Sequence, residues 1–164
     1  MITVSPLNDK TQKEFEMLFA AYYAELGCDD DVPHLLKEYI LPDLLAGLIK
    51  IDMLQEGKVY AGFVIYQTDD IDNDWNFKEG WGDIREIYVA PARRRKGYGK
   101  FLLYTAEMKL KESGVSKTYA LPASGTEDFF TACGYNKTED YCLELDCAVY
   151  EKTDLNNCEC KNGK

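Results

Sequence analysis

One segment constrains the fold more than any other. Asp83 to Val89 reads as a strand that stops at Pro91; Arg93-Arg94-Arg95-Lys96 follow, and Gly97 to about Ser113 reads as a helix with Leu102, Leu103, Ala106 and Leu110 on its inner face. A strand that turns through glycines into a helix aims backbone N–H groups at whatever sits before the helix, and the helix dipole favours an anion there. Arg93, Arg94, Arg95, Lys96 and Lys100 gather positive charge at that point of a chain whose net charge is −10. The glycine spacing is neither the G-x-G-x-x-G of a dinucleotide fold nor the G-x-x-x-x-G-K-[ST] of a P-loop, which removes both readings.

The rest of the chain supplies elements on either side. Thr3-Val4-Ser5 reads as a first strand, and Phe15, Leu18, Phe19, Tyr22 and Leu26 share one face of a helix ended by Gly27. Asp29-Asp30-Asp31 caps a second helix opening at Val32-Pro33, with Leu35, Leu36, Tyr39 and Ile40 as its apolar positions, and Pro42 separates Leu44, Leu45 and Leu48 from it. Ile49 to Leu54 and Val59 to Gln67 form a hairpin through Gln55-Glu56-Gly57-Lys58. Thr68 to Gly82 is a polar, acidic surface loop; Asp70, Asp72, Asp74 and Asn76 imitate a calcium loop, but Trp75 or Phe77 stands where its sharp turn needs glycine. Ser116 to Leu121 is a fifth strand, Gly125 to Cys133 a short helix stopped by Gly134, and Tyr135 to Lys152 two last strands. This order predicts an α/β fold, one domain over residues 1–152, with helices on both faces of a mixed, mostly antiparallel sheet. The polar tail 153–164 is expected to be disordered.

Composition narrows the functional classes. Hydrophobic residues make up 46% of the 164, enough for one sizeable core. No apolar run approaches the roughly 18 to 20 residues of a membrane span, and Met1 to Pro6 lacks the order of a signal peptide, so a cytoplasmic location is expected. The six cysteines are irregularly spaced and read as reduced thiols; Cys158 and Cys160, with His34 the only histidine, show no zinc spacing, and no metal is expected. The acidic balance repels nucleic acid and anionic membrane and draws cations.

Arg94-x-x-Gly97-x-Gly99 resembles the Q/R-x-x-G-x-G/A motif of GCN5-related N-acetyltransferases (GNAT). Ile87-Tyr88-Val89-Ala90-Pro91 resembles that family's fourth strand, Phe129-Phe130-Thr131-Ala132-Cys133-Gly134-Tyr135 its F-Y-x-x-x-G-F segment, and the order of elements over residues 1–152 is similar throughout. The resemblance implies a GNAT-like acyl-CoA N-acyltransferase fold, acetyl-CoA as co-substrate, and direct transfer of acetyl to the primary amine of a small molecule or peptide. A cationic acceptor suits the charge, and a homodimer is compatible with the family. By the same resemblance the backbone of Ile87, Tyr88 and Val89 bonds the pantetheine arm. Arg94 and the amides of Arg95, Lys96, Gly97, Tyr98, Gly99 and Lys100 take the pyrophosphate, and Phe129 joins the cofactor set.

Direct attack needs a base for the ammonium, donors for the oxyanion and an acid for the thiolate, and no covalent intermediate on a cysteine. Asp83 and Glu86 compete as base; alternation puts Asp83, Arg85, Ile87 and Val89 on one face and Glu86 with Tyr88 on the other, unless a bulge shifts the phase. Arg85 stands where family members often carry a glutamate, Phe130 where they often carry a tyrosine acid, and Ala123 where an asparagine is frequent. Tyr98, Tyr135 or Tyr141 is then the substitute acid, or there is none. Tyr22, Tyr23, Trp75, Phe77 and Trp81 fall in segments that line the acceptor side by analogy, and aromatic faces suit a cation. Phe130 and Arg85 also motivate a second reading, a non-catalytic acetyl-CoA-binding sensor or regulatory domain.

Overall fold

The computed structural model describes residues 1–73 and 76–155. Its strands are β1 (Ile2–Pro6), β2 (Lys50–Glu56), β3 (Val59–Thr68), β4 (Gly82–Val89), β5 (Thr118–Ala120), β6 (Asn136–Cys142) and β7 (Cys147–Lys152). The helices are α1 (Gln12–Leu26), α2 (Val32–Leu35), α3 (Leu41–Leu45), α4 (Tyr98–Glu112) and α5 (Glu127–Ala132). The strands form one mixed sheet in the order β1-β2-β3-β4-β5-β7-β6. The β1–β2, β2–β3, β5–β7 and β6–β7 pairs are antiparallel and β4–β5 is parallel, so the expected mixed, mostly antiparallel sheet is present. By contacts the chain divides into a first unit, Met1–Gln67 with Arg85–Ala106, and a second, Thr68–Ile84 with Glu107–Lys164.

The first unit is built on the face that β2 and β3 turn toward α1. Ile49, Ile51, Met53, Phe63 and Ile65 recur at every second position, and with Phe15, Phe19, Leu36, Ile40 and Tyr88 they form one buried cluster. Phe15 and Phe19, one helical turn apart, are fully buried and pack on Phe63, edge-on and tilted, at 5.2 and 5.9 Å between ring centroids. Burial of each contributes about 1.5–3 kcal/mol. Gly27, at φ 69°, ends α1 in the left-handed conformation that a side chain resists.

Pro42 stands at the start of a separate short helix, α3, as expected. Residues 36–40 form a π-helical turn between α2 and α3, and Pro42 follows it in the first turn of α3. Asp31 caps α2 as expected, its Oδ1 accepting the His34 N–H at 3.1 Å.

In the second unit a buried polar chain replaces part of the apolar core. Tyr135 donates to Glu107 at 2.9 Å, shares a hydrogen bond with Thr118 at 2.9 Å, and Lys152 closes on Glu107 at 2.9 Å and on the Cys133 carbonyl at 3.1 Å. The acidic loop is also more structured than its composition suggests. Asp69 is buried and accepts the Phe77 and Lys78 N–H groups at 2.9 and 2.8 Å and the Tyr119 hydroxyl at 2.7 Å. Leu155, in the segment expected to be disordered, is buried and donates its N–H to Ser116 at 3.2 Å; Cys158 and Cys160 lie outside the described residues. Among the described residues no helix is long and apolar enough to cross a membrane, and no cluster of three His, Cys, Asp or Glu side chains is arranged around a metal position.

One contact sets where β4 ends. The β2–β3 register slips between Leu54 and Gln55, leaving Ala61 as an extra residue whose carbonyl accepts the Ala90 N–H at 2.8 Å. At the next residue, Gly62, a Cβ would overlap the Tyr88 carbonyl oxygen and lie 3.2 Å from Val89 Cα. Gly62→Ala should therefore push β4 away from β3 and lower stability by about 1–3 kcal/mol, read as a fall in denaturation midpoint; an unchanged midpoint would contradict the close approach.

Candidate active site

The turn after β4 is the most elaborately held loop of the first unit. Pro91–Arg93 makes a single 3₁₀ turn, with Arg93 N–H on Ala90 O at 2.8 Å and Arg94 N–H on Pro91 O at 3.2 Å. Beyond it the sign of φ alternates: Arg94 is extended (φ −71°), Arg95 is left-handed (φ 65°), and Gly97 is left-handed again (φ 81°) before α4 begins. Left-handed residues on either side of Lys96 turn the chain sharply ahead of α4, a turn conformation of the kind that gathers N–H groups toward an anion. The first intrahelical bond is Phe101 N–H to Gly97 O at 3.1 Å, so the amides of Tyr98, Gly99 and Lys100 have no acceptor within the helix.

The basic residues are only partly free to add charge to this cradle. Arg94 Nε donates to Val89 O at 2.8 Å, its Nη2 to Glu25 at 2.7 Å, and its guanidinium lies 5.6 Å from the centre of the Tyr88 ring. Arg93 and Lys96 meet Glu56 at 2.6 and 3.0 Å, and the Tyr98 hydroxyl donates to the same carboxylate. That hydroxyl, then Lys96 and Arg93, hold the Glu56 carboxyl down at about 2. Arg95 and Lys100 are exposed. Neither Glu25 nor Glu56 stands out in the sequence: one ends an amphipathic helix, the other reads as a hairpin residue, and only tertiary packing brings them to the turn.

Upstream, β4 has a half-open edge. Its register with β5 covers only Gly82–Ile84 against Thr118–Ala120, and β5 ends there, leaving Arg85 to Val89 outside that ladder. Glu86 is half-buried on this stretch and accepts a hydrogen bond from the Tyr22 hydroxyl. Burial pushes its carboxyl above the usual carboxylate range, opposed by the Tyr22 hydrogen bond and the Arg85 charge. Tyr22 is itself fixed against Tyr88, Phe63 and Tyr23, at 5.5, 6.0 and 5.4 Å between centroids. Burial, then the Glu86 charge, raises both the Tyr22 and Tyr23 hydroxyls, which remain protonated at neutral pH. Arg85 donates to Gln67 at 3.1 Å, and although alternation would separate it from Glu86, both act electrostatically on Tyr23.

Other expected residues fall elsewhere. Asp83 belongs to the second unit, is 6% exposed and is hydrogen-bonded to the Tyr119 hydroxyl. Phe77 packs on Tyr119 at 5.7 Å, and the Trp81 ring has Lys78 and Lys117 at 5.3 and 5.1 Å, so both aromatics are engaged by their own unit. Trp75 lies outside the described residues. Phe129 and the buried Phe130 meet edge-on at 5.2 Å in α5. Each proposed substitute for a tyrosine acid is committed to a carboxylate: Tyr98 to Glu56, Tyr135 to Glu107 and Tyr141 to Asp146.

Comparison with known proteins agrees with this geometry. A family model described as the acetyltransferase (GNAT) family matches residues 13–135. Among solved structures, an acetyltransferase of the GNAT family from Staphylococcus aureus Mu50 superposes with a TM-score of 0.74 at 15% identity, over 94% of this chain and 99% of that one. The PaiA N-acetyltransferase of Thermoplasma acidophilum, in complex with coenzyme A, gives 0.69 at 14% identity over 93% and 99%. A predicted acetyltransferase from Clostridium acetobutylicum, with acetyl-CoA, gives 0.73 at 16% over 87% and 94%. No curated protein matches the sequence. The matched residues run from α1 through the glycine turn to Tyr135, and on that match this chain belongs to the GNAT acetyltransferase family.

Proposed function

We propose that this protein binds acetyl-CoA along β4 and the start of α4 and transfers the acetyl group to a primary amine of a small molecule or peptide by direct attack, with Glu86 as the base. The observation that carries the reading is the layout of one continuous stretch. A half-buried carboxyl, Glu86, is followed by backbone outside the β5 ladder at Ile87, Tyr88 and Val89, and then by the amides of the α4 turn. In this reading the strand backbone holds the pantetheine amides, the turn from Arg95 to Lys100 holds the pyrophosphate, and Phe129 enters the cofactor set on the family resemblance. A thioester supplies an activated acyl carbon and a thiolate leaving group.

The chain's own residues then have defined tasks. Glu86 is preferred over Asp83 because it keeps some exposure and has tyrosine neighbours, whereas Asp83 is buried against Tyr119. Its raised affinity for protons brings it closer to the neutral range in which a base is most useful. The rings of Tyr22 and Tyr23, beside that carboxylate, suit a cationic amine, which loses one proton to Glu86 before attack. Because Tyr98, Tyr135 and Tyr141 are committed elsewhere, the thiolate departs without a tyrosine acid. The same absence of an acid at Phe130 favours the second reading, a domain that binds acetyl-CoA without turnover. Free-thiol release from acetyl-CoA with a panel of amines separates the two: turnover supports the enzyme, and binding without thiol release supports the sensor.

Two expectations follow from the geometry. Gly99→Glu puts a negative side chain on the cradle and should abolish CoA binding in calorimetry while the fold, by circular dichroism, persists; retained affinity would remove the turn from the site. For the base, kcat/KM should rise with pH as Glu86 loses its proton, with the limb displaced upward from an ordinary carboxylate. Glu86→Gln should lose on the order of 10²-fold and the limb with it, and Tyr22→Phe, which removes a bond favouring the carboxylate, should move the limb higher still. An unchanged profile in both variants would mean that Glu86 is not the base, and the same profile in Asp83→Asn as well would mean that β4 supplies none.

A further inference from the structure

An anion cradle gains from every positive charge near it, yet a carboxylate, Glu56 at the end of β2, sits against the turn and engages two of its cations. Its side chain is 25% exposed, with Arg93 Nη1 on Oε2 at 2.6 Å, Lys96 Nζ on Oε1 at 3.0 Å, and the Tyr98 hydroxyl on Oε1. These partners are not scattered. Arg93 precedes the left-handed Arg95, while Lys96 and Tyr98 bracket the left-handed Gly97. Arg94, the residue between Arg93 and Arg95, is tied separately to Val89 O and Glu25. Anchored residues at 93, 94, 96 and 98 therefore flank both of the residues that carry positive φ.

Arg95 is the costly one, because a non-glycine residue in the left-handed region persists only where its surroundings hold it there. Without those anchors the turn samples conformations in which its N–H groups diverge. A ligand that needs the curled form then binds more weakly in proportion to the fraction of time that form is absent. We propose that Glu56 is a positioning residue for acetyl-CoA: it clamps the turn so that the amides from Arg95 to Lys100 are preformed for the pyrophosphate. This inference rests on the cofactor reading given above and adds to it a residue that touches no part of the ligand.

If Glu56 acted only through its charge, removing it would release Arg93 and Lys96 and lift a repulsion, and CoA would bind equally well or tighter. If it acts by holding the turn, removing it weakens binding although the site becomes more positive. Should the held turn be populated about one-tenth of the time without its clamp, affinity falls about tenfold.

Calorimetry with CoA, on the full chain and its Glu56→Gln and Tyr98→Phe variants, tests this. Tyr98→Phe removes one clamp bond and no charge. The expected result is a Kd raised about tenfold in Glu56→Gln and several-fold in Tyr98→Phe. In steady state KM for acetyl-CoA should rise by a similar factor in Glu56→Gln, with kcat at saturation and KM for the amine unchanged, a split that general destabilisation would not produce. Wild-type binding with equal or tighter binding by Glu56→Gln overturns the inference alone. Unchanged affinity in Tyr98→Phe would do the same. No CoA binding by the wild type would sink the cofactor reading, and this inference with it.

Discussion

An α-helix cannot satisfy its own first N–H groups, and the arrangement around β4 and α4 in this chain follows from that constraint. Tyr98, Gly99 and Lys100 present amides that the helix leaves without acceptors. Gly97 supplies the left-handed residue that turns the chain into α4, and β4 delivers the turn to a fixed place because β3 lets it approach closely at Gly62. The sheet, the α1 core and the hairpin register are in this sense a mount for a short run of backbone. Anion recognition by backbone would also let so acidic a chain, of net charge −10, hold the anionic ligand proposed for it.

Charge and shape pull in different directions at this turn. The run of basic residues suggests electrostatic attraction, but three of them are paired with Glu25 and Glu56 at 2.6–3.0 Å. Exposed pairs of this kind add little to global stability. Their value here lies in conformation, since they hold the residues around two left-handed backbone positions, Arg95 and Gly97. The same logic governs Glu86, where burial raises the carboxyl while Tyr22 and Arg85 limit the rise.

Much of the framework was legible in the sequence because its signals are local. The periodicity from Phe15 to Tyr22, the glycines at 27 and 57, and the strand–turn–helix ending at Gly99 each declare themselves within a few residues. The family motif was legible for the same reason. What could not be read depends on distant packing. Glu56 looks like a hairpin residue until the β2 register places it beside Arg93, 37 residues away. Asp69 looks like one more acid in a solvated loop until Tyr119 closes on it from 50 residues away. The π-helical turn at residues 36–40, which joins α2 to the helix holding Pro42, leaves no mark in the pattern of apolar residues. Arg94 was recognisable as a motif residue, but its bonds to Val89 and Glu25 were not.

The central claim is that backbone amides at the start of α4 receive the pyrophosphate of CoA. Amide ¹H–¹⁵N spectra of uniformly labelled protein, followed through a titration with CoA, address those groups directly. The account predicts that the largest downfield proton shifts fall on residues between Arg95 and Lys100, with Tyr98, Gly99 and Lys100 foremost, because their N–H groups exchange water for phosphate oxygen. Saturable shifts confined to other parts of the chain, with these resonances unmoved, would contradict it.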